Sequence, residues 1–170
     1  MILLALGSNL PSRFGNRFEN IDLALSNLQT NGIKLLKKSS FYESPAFPNK
    51  NDPKFINIVV NVSTELDAPN LASVLILVEE LMERKRGRKN DPRTCDIDII
   101  DFKGQIKDFK YKNLDFTVPH KNIVNRNFVL FPLFEVAPNW IHPKTKQSIN
   151  SLINNLSNED KNSILKIEKS

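Results

Sequence analysis

Two aspartates, Asp96 and Asp98, stand two residues apart in the segment Thr94-Cys95-Asp96-Ile97-Asp98-Ile99. If this segment is a strand, alternation sends both carboxylates to one face and Cys95, Ile97 and Ile99 to the other. Parallel carboxylates repel unless something neutralises them. A hard divalent cation does so, and Mg²⁺ typically takes one or two carboxylates together with substrate phosphates. The Asp-x-Asp pattern alone also suits a solvated strand face. Just upstream, residues Glu83 to Arg93 carry six basic and two acidic side chains, among them Arg84, Arg86, Arg88 and Arg93. Arginine presents a rigid fork of donors that matches phosphate oxygens. A carboxylate pair beside clustered arginines describes a site for a metal–polyphosphate complex. Phosphoryl transfer asks for little beyond positioning and charge stabilisation. Neither a Walker loop nor a G-x-G-x-x-G stretch occurs, which removes the common nucleotide folds. His120 follows Val118-Pro119, and Arg126 lies six residues further on. Phe55 and Asn57 are again two apart, an aromatic beside an amide, suited to stacking on a flat heterocycle and hydrogen bonding to its edge.

The elements that would carry these residues follow from periodicity. Residues 2–6 read as a buried strand ending at Gly7. Phe18, Ile21, Leu25 and Leu28 recur at helical spacing before Gly32. Residues 33–43 are extended, 49–53 form a polar loop, and 55–66 are β-branched and strand-like. Asp67 caps a helix with Pro69 in its first turn and Leu71, Val74, Leu75, Val78, Leu81 and Met82 as its apolar stripe. Residues 94–102 form a strand, and 104–112 either pair with it or make a loose excursion. Helices are expected over 124–136 and, more weakly, 147–156. The order strand, helix, strand, strand, helix, strand predicts an α+β, ferredoxin-like βαββαβ sandwich with an antiparallel sheet, helices on one face and C-terminal helical additions. That order alone assigns no function.

The 170 residues fit one domain spanning the chain, with 40% hydrophobic and 25% charged side chains. A lone cysteine, Cys95, excludes an internal disulfide and suits a core position. No apolar run approaches the ~20 residues that span a bilayer. The first ten residues lack a basic n-region and a cleavage pattern. A cytoplasmic monomer that binds neither membrane nor nucleic acid is expected. The net charge of +5 suits an anionic ligand. From these residues alone, an RNA-binding module and a two-metal nuclease remain alternatives. The RNP1 pattern of the first is absent, and unneutralised aspartates would repel phosphate.

Several segments in order, from about residue 3 to 143, resemble one family. They are Leu6-Gly7-Ser8-Asn9-Leu10, Ser40-Phe41-Tyr42-Glu43-Ser44-Pro45, Phe55-Ile56-Asn57, Pro92-Arg93-Thr94-Cys95-Asp96-Ile97-Asp98-Ile99, Val118-Pro119-His120, and Arg126-Asn127-Phe128 with the Pro132 to Pro138 block. The family is 6-hydroxymethyl-7,8-dihydropterin pyrophosphokinase of folate biosynthesis. The resemblance implies ATP and a reduced pterin alcohol as substrates, and AMP and the pterin diphosphate as products. It implies two Mg²⁺ ions at Asp96 and Asp98, with Arg84 and Arg93 also serving catalysis. It implies ATP contacts at Glu79, Arg84, Arg86, Arg93, Ile99, Thr117, His120 and Arg126. The pterin would lie between Phe55 and Phe128, with its edge read by Asn57 and by the segment Ser44, Pro45, Ala46 and Phe47. The chain departs from the family at Glu83-Arg84, where Gly-Arg is usual, and at Lys89-Asn90-Asp91, where Arg-Trp-Gly is frequent. The loops at 46–53 and 83–93 are expected to be mobile and to order over the substrates.

Overall fold

The computed structural model describes residues 1–169. The apolar run at the N-terminus forms β1 (Ile2–Ser8). Leu3 and Leu4 point to opposite faces and are both fully buried, so β1 is an interior strand covered on both sides. The second β-branched run gives β4 (Phe55–Ser63), which pairs antiparallel along β1. Between them lie α1 (Arg17–Thr30), β2 (Lys34–Lys38) and β3 (Phe41–Ser44). Asn16 caps α1 in a reciprocal capping box with Glu19. The extended stretch 33–43 is therefore two strands, both laid along β4. Buried Ser39 fills the break: its N–H donates to Val59 O at 3.0 Å, and its Oγ accepts the Val59 N–H at 3.0 Å.

After β4, Asp67 caps α2 (Ala68–Leu81) by accepting the Asn70 N–H, as its sequence predicts. The strand of the two aspartates, β5 (Asp96–Phe102), completes the βαββαβ core against the free side of β1. The sheet order is β5-β1-β4-β3-β8, with β2 also on β4 and every pair antiparallel. Here β8 (Leu165–Ile167) comes from the C-terminal region, which shows no strand signal. Residues 104–112 do not pair with β5. They supply β6 (Lys107–Tyr111), which forms a separate hairpin with β7 (Leu114–Val118) through a two-residue turn at Lys112 and Asn113. The Phe109 and Phe116 rings stack across this hairpin at 5.2 Å, which favours that partner. The expected helix over 124–136 is a 3₁₀ turn (Ile123–Asn125) followed by α3 (Asn127–Val136), with Arg126 at the junction. Then come α4 (Ile149–Asn154) and α5 (Asn158–Asn162).

Helices cover both faces of the sheet rather than the one face expected. Ile2, Leu4, Leu6, Ile58, Val60 and Ile97 meet α1 and α2, whose Ile21, Leu71 and Leu75 complete that core. Leu3, Val59 and Ile100 meet α3 and α4 on the other face, with Leu133, Trp140 and Ile149. The cause lies in β1, which is apolar at both alternating sets of positions, and in Val59 of β4 beside it, so the sheet needs cover on each side. A bulge in β5 helps: Leu4 pairs with Ile99 and Leu3 with Asp101, so Ile100 is the extra residue. The α3–α4 layer buries one end of its face, while the side chains of Asp96 and Asp98 stay 29% and 31% exposed.

Candidate functional site

Strand register sets the site. Tyr42 pairs with Asn57, Asn57 with Gly7, and Gly7 with Asp96, so the four form one lateral row. The next row is Val59, Ala5 and Asp98. Residues directly opposite across antiparallel pairs share a face. Asn57 and the two carboxylates therefore flank a floor made of the smallest side chains available, Gly7 and Ala5. A Cβ added at Gly7 would sit 3.4 Å from both Asn57 Oδ1 and Phe55 Cδ1. Gly7 thus puts no side chain between the amide and Asp96.

Each aspartate is held by cations. Asp96 Oδ1 accepts from Arg84 at 3.0 Å, and its Oδ2 lies 3.5 Å from Arg93. Asp98 Oδ2 accepts from Arg126 at 3.1 Å and faces His120 Nε2 at 3.8 Å. Burial, and then the charge of Asp96, push the Asp98 carboxyl up to about 6, against the pull of Arg126. Burial and then Arg126 push His120 down to about 4, so the ring is neutral at pH 7. Its Nδ1 accepts the Asn122 N–H at 3.1 Å. The ring proton therefore sits on Nε2, aimed toward Asp98.

Behind this layer lies Glu79 of α2, with a side chain only 5% exposed. It accepts from Arg84, from Arg86 at 2.6 Å and from the Ile97 N–H at 2.9 Å. Burial raises its carboxyl to about 7, although Arg84 opposes the rise. Arg84 is aimed by the end of the helix. Glu83 adopts φ 62°, its N–H donates to Glu80 O at 2.9 Å, and the Arg84 N–H donates to Glu79 O at 3.0 Å. This is a Schellman motif, and its left-handed position explains why glycine suits the residue before Arg84. Beyond it, Asp91 Oδ2 accepts the Arg88 N–H at 2.7 Å, giving the altered loop its own internal order. A cavity of about 290 Å³ lies here, lined by Arg84, Arg86, Arg88, Lys89, Asp91 and Arg93.

On the Asn57 side, the Asn57 amide donates to Ser44 Oγ at 2.9 Å and to Tyr42 O at 3.2 Å. Ser44 and Ala46 are buried, Pro45 is half-buried, and Phe47 is 77% exposed. The Arg93 guanidinium lies over the Phe55 ring at 5.4 Å and that of Arg126 over Phe128 at 5.5 Å. Not every expected residue faces the carboxylates. The Ile99 side chain is buried in the core on the opposite face. Thr117 stands on β7 and donates to Asp108 at 2.8 Å. Cys95 is buried, as expected. Asn9, 1% exposed, joins the two loops of the site and gives no sequence signal beyond its place in Gly7-Ser8-Asn9.

The donor set fits a hard cation on chemical grounds. Among the described residues no cluster of three His, Cys, Asp or Glu ligands exists, so the chain offers two carboxylates. The remaining ligands must come from water and phosphate, which is the habit of Mg²⁺. On this antiparallel α+β sandwich the carboxylate pair is ringed by arginines, a donor and acceptor set that suits a metal-bound polyphosphate. The family model described as 7,8-dihydro-6-hydroxymethylpterin-pyrophosphokinase matches residues 3–138, and the chain belongs to that family.

Relatives agree. A folic acid synthesis protein of Dictyostelium discoideum is 35% identical over 93% of this chain, which spans 23% of that protein. A folic acid synthesis protein of Pneumocystis carinii is 33% identical over 94% of this chain, which spans 20% of that protein. A 2-amino-4-hydroxy-6-hydroxymethyldihydropteridine pyrophosphokinase of Synechocystis is 35% identical over 89% of this chain and 73% of its own length. Among solved structures, a Plasmodium falciparum HPPK-DHPS with pteroate aligns at a TM-score of 0.71 and 17% identity, covering 90% of this chain and 43% of that one. That likeness bears on the fold, which is the ferredoxin-like arrangement expected.

Proposed function

We propose that this protein transfers a diphosphate from ATP to the hydroxymethyl group of 6-hydroxymethyl-7,8-dihydropterin, releasing AMP, as a cytoplasmic step of folate biosynthesis. The observation that carries this reading is the lateral row from Asn57 across Gly7 to Asp96, an amide and a carboxylate on one sheet face with only a glycine between them. Residues 1–170 act as one catalytic unit, a monomer in this reading.

The pterin ring lies between Phe55 and Phe128, and Asn57 with the segment from Ser44 to Phe47 reads its polar edge. Arg93 and Arg126 rest on those two rings and on the aspartates. On ATP binding the arginines turn to phosphate oxygens, which frees both the aromatic faces and the carboxylates. Asp96 and Asp98 would hold two Mg²⁺ ions, which supply charge neutralisation and polarise the attacking hydroxyl when bound. Arg84, Arg86, Arg93 and Arg126 steady the polyphosphate, and neutral His120 donates its Nε2 proton as a hydrogen bond to a phosphate oxygen. Glu79 contributes by aiming Arg84 and Arg86. Thr117 and the main chain at Ile99 border the adenosine. The hydroxymethyl oxygen attacks the β-phosphorus in line, its proton passes to water, and the bond from the β-phosphorus to the α-phosphate oxygen breaks, leaving AMP. No side chain is assigned as a dedicated base.

Incubation with ATP, Mg²⁺ and the pterin alcohol should yield AMP and the pterin diphosphate. Asp96→Ala and Asp98→Ala should each reduce this by several orders of magnitude while the chain still folds. ADP as the nucleotide product, or AMP formed without pterin, would reject the reading. With RNA or DNA added to the same samples, nuclease and RNA-binding readings predict its cleavage or retention, and neither is expected.

A further inference from the structure

Asn9 closes a circuit between the two sides of the site. It lies just past β1 and is 1% exposed, so each polar atom of its carboxamide needs a partner. Its Oδ1 accepts the Arg93 N–H at 2.8 Å, and its Nδ2 donates to Pro53 O at 3.0 Å. Its own N–H donates to Arg93 O at 3.1 Å. Arg93 N can only donate and Pro53 O can only accept, which fixes the two ends of the amide. Pro53 stands two residues before Phe55, and the Arg93 guanidinium lies over the Phe55 ring at 5.4 Å. Arg93, Asn9, Pro53 and Phe55 thus form a closed ring of contacts through one planar group. The loop that carries Asn9 is itself anchored: Asn20 of α1 donates to Leu10 O at 3.0 Å and accepts from Ser12 Oγ at 2.6 Å.

We propose that Asn9 is a positioning residue that couples the phosphate-side loop at Arg93 to the pterin-side loop at Pro53, so that the seat of Arg93 sets the place of the Phe55 ring. The coupling rests on the function proposed above, because it links the halves of the site assigned to ATP and to pterin. The residue type follows from the geometry. Among side chains this short, asparagine alone carries its acceptor and its donor on two separate atoms. Aspartate keeps the acceptor for Arg93 and loses the donor for Pro53. Glutamine adds a methylene in a closed space.

The test uses hydrogen exchange on the ligand-free chain and steady-state kinetics on Asn9→Ala and Asn9→Asp. In Asn9→Asp the Arg93 amide should keep its protection, while amides from Asn51 to Phe55 exchange about tenfold faster, the loss expected for one hydrogen bond left unmade. The pterin KM should then rise about tenfold, with the ATP KM unchanged. In Asn9→Ala both loops should lose protection, and kcat should fall as well. If Asn9→Ala fails to fold, Asn9→Asp alone decides. Equal loss of protection in both loops of Asn9→Asp, or a lower melting temperature with kcat and both KM values unchanged, would overturn the coupling. Failure of the wild-type chain to make AMP would reject the proposed function, and the exchange data, which need no substrate, would still decide what Asn9 connects.

Discussion

Arg84 and Arg86 share one carboxylate, that of Glu79, which also accepts the main-chain N–H of Ile97 between the two aspartates. Replacing Glu79 with leucine leaves the buried Ile97 amide unsatisfied, while Arg84 keeps Asp96 and Arg86 meets solvent. A buried donor without its acceptor costs about 1–3 kcal/mol, and urea unfolding should read a loss of that size. A second residue gives a pH signature. His142 is buried, and its Nδ1 accepts the N–H groups of Lys144 and Thr145, each at 3.2 Å. Burial holds its imidazole below the usual 6.5, against the pull of Asp101. Below that pH the unfolded chain takes up a proton that the folded chain refuses. The His142 contribution to stability should therefore shrink as pH drops below about 6.5, with no effect on the slope above it. His142→Asn keeps an acceptor and does not titrate, so between pH 7.5 and 5.5 the wild-type denaturation midpoint should lose ground relative to that of the variant. At this scale the sequence revealed the carboxylate pair, because period two needs only local spacing. It could not reveal Asn9, whose bond to Arg93 spans 84 positions and leaves no local pattern.

The ends of elements decide where the arginines point. The left-handed residue at the end of α2 is Glu83, and a side chain there is strained where glycine is not. Glu83→Gly should stabilise the chain by about 1 kcal/mol, or about 2–4 °C in Tm for a domain of this size. The lost ion pair with Arg13 at 3.1 Å is largely exposed and offsets little. The boundaries of α2 were readable because Asp67 and Pro69 announce one end and the apolar stripe the other. Partners were less so. Residues 104–112 read as a strand or a loose excursion, and the choice of β7 over β5 rests on cross-strand stacking of Phe109 on Phe116, which depends on register. The split of 33–43 turns on Ser39 reaching Val59 across the sheet, again a contact between distant segments.

Over the whole molecule, the βαββαβ order was legible, and the second helical layer was not. The expectation of helices on one face left Leu3, Val59 and Ile100 without cover, and weak periodicity in 124–156 gave no direction to the segments that supply it. The three-residue strand β8 was invisible, being too short to show alternation and mostly exposed. It pairs with β3 from Phe41 to Glu43, and Lys166 reaches toward Glu135 at 3.8 Å. Its removal bears on solubility. An unpaired strand border is a template on which another chain can build. Without β8, the outward N–H and C=O groups of β3 would meet solvent as such a template. Deleting the chain from Leu165 onward should produce concentration-dependent association in light scattering while the aspartate cleft, at the opposite border, stays formed. The few residues of β8 thus act as a guard against strand addition between copies.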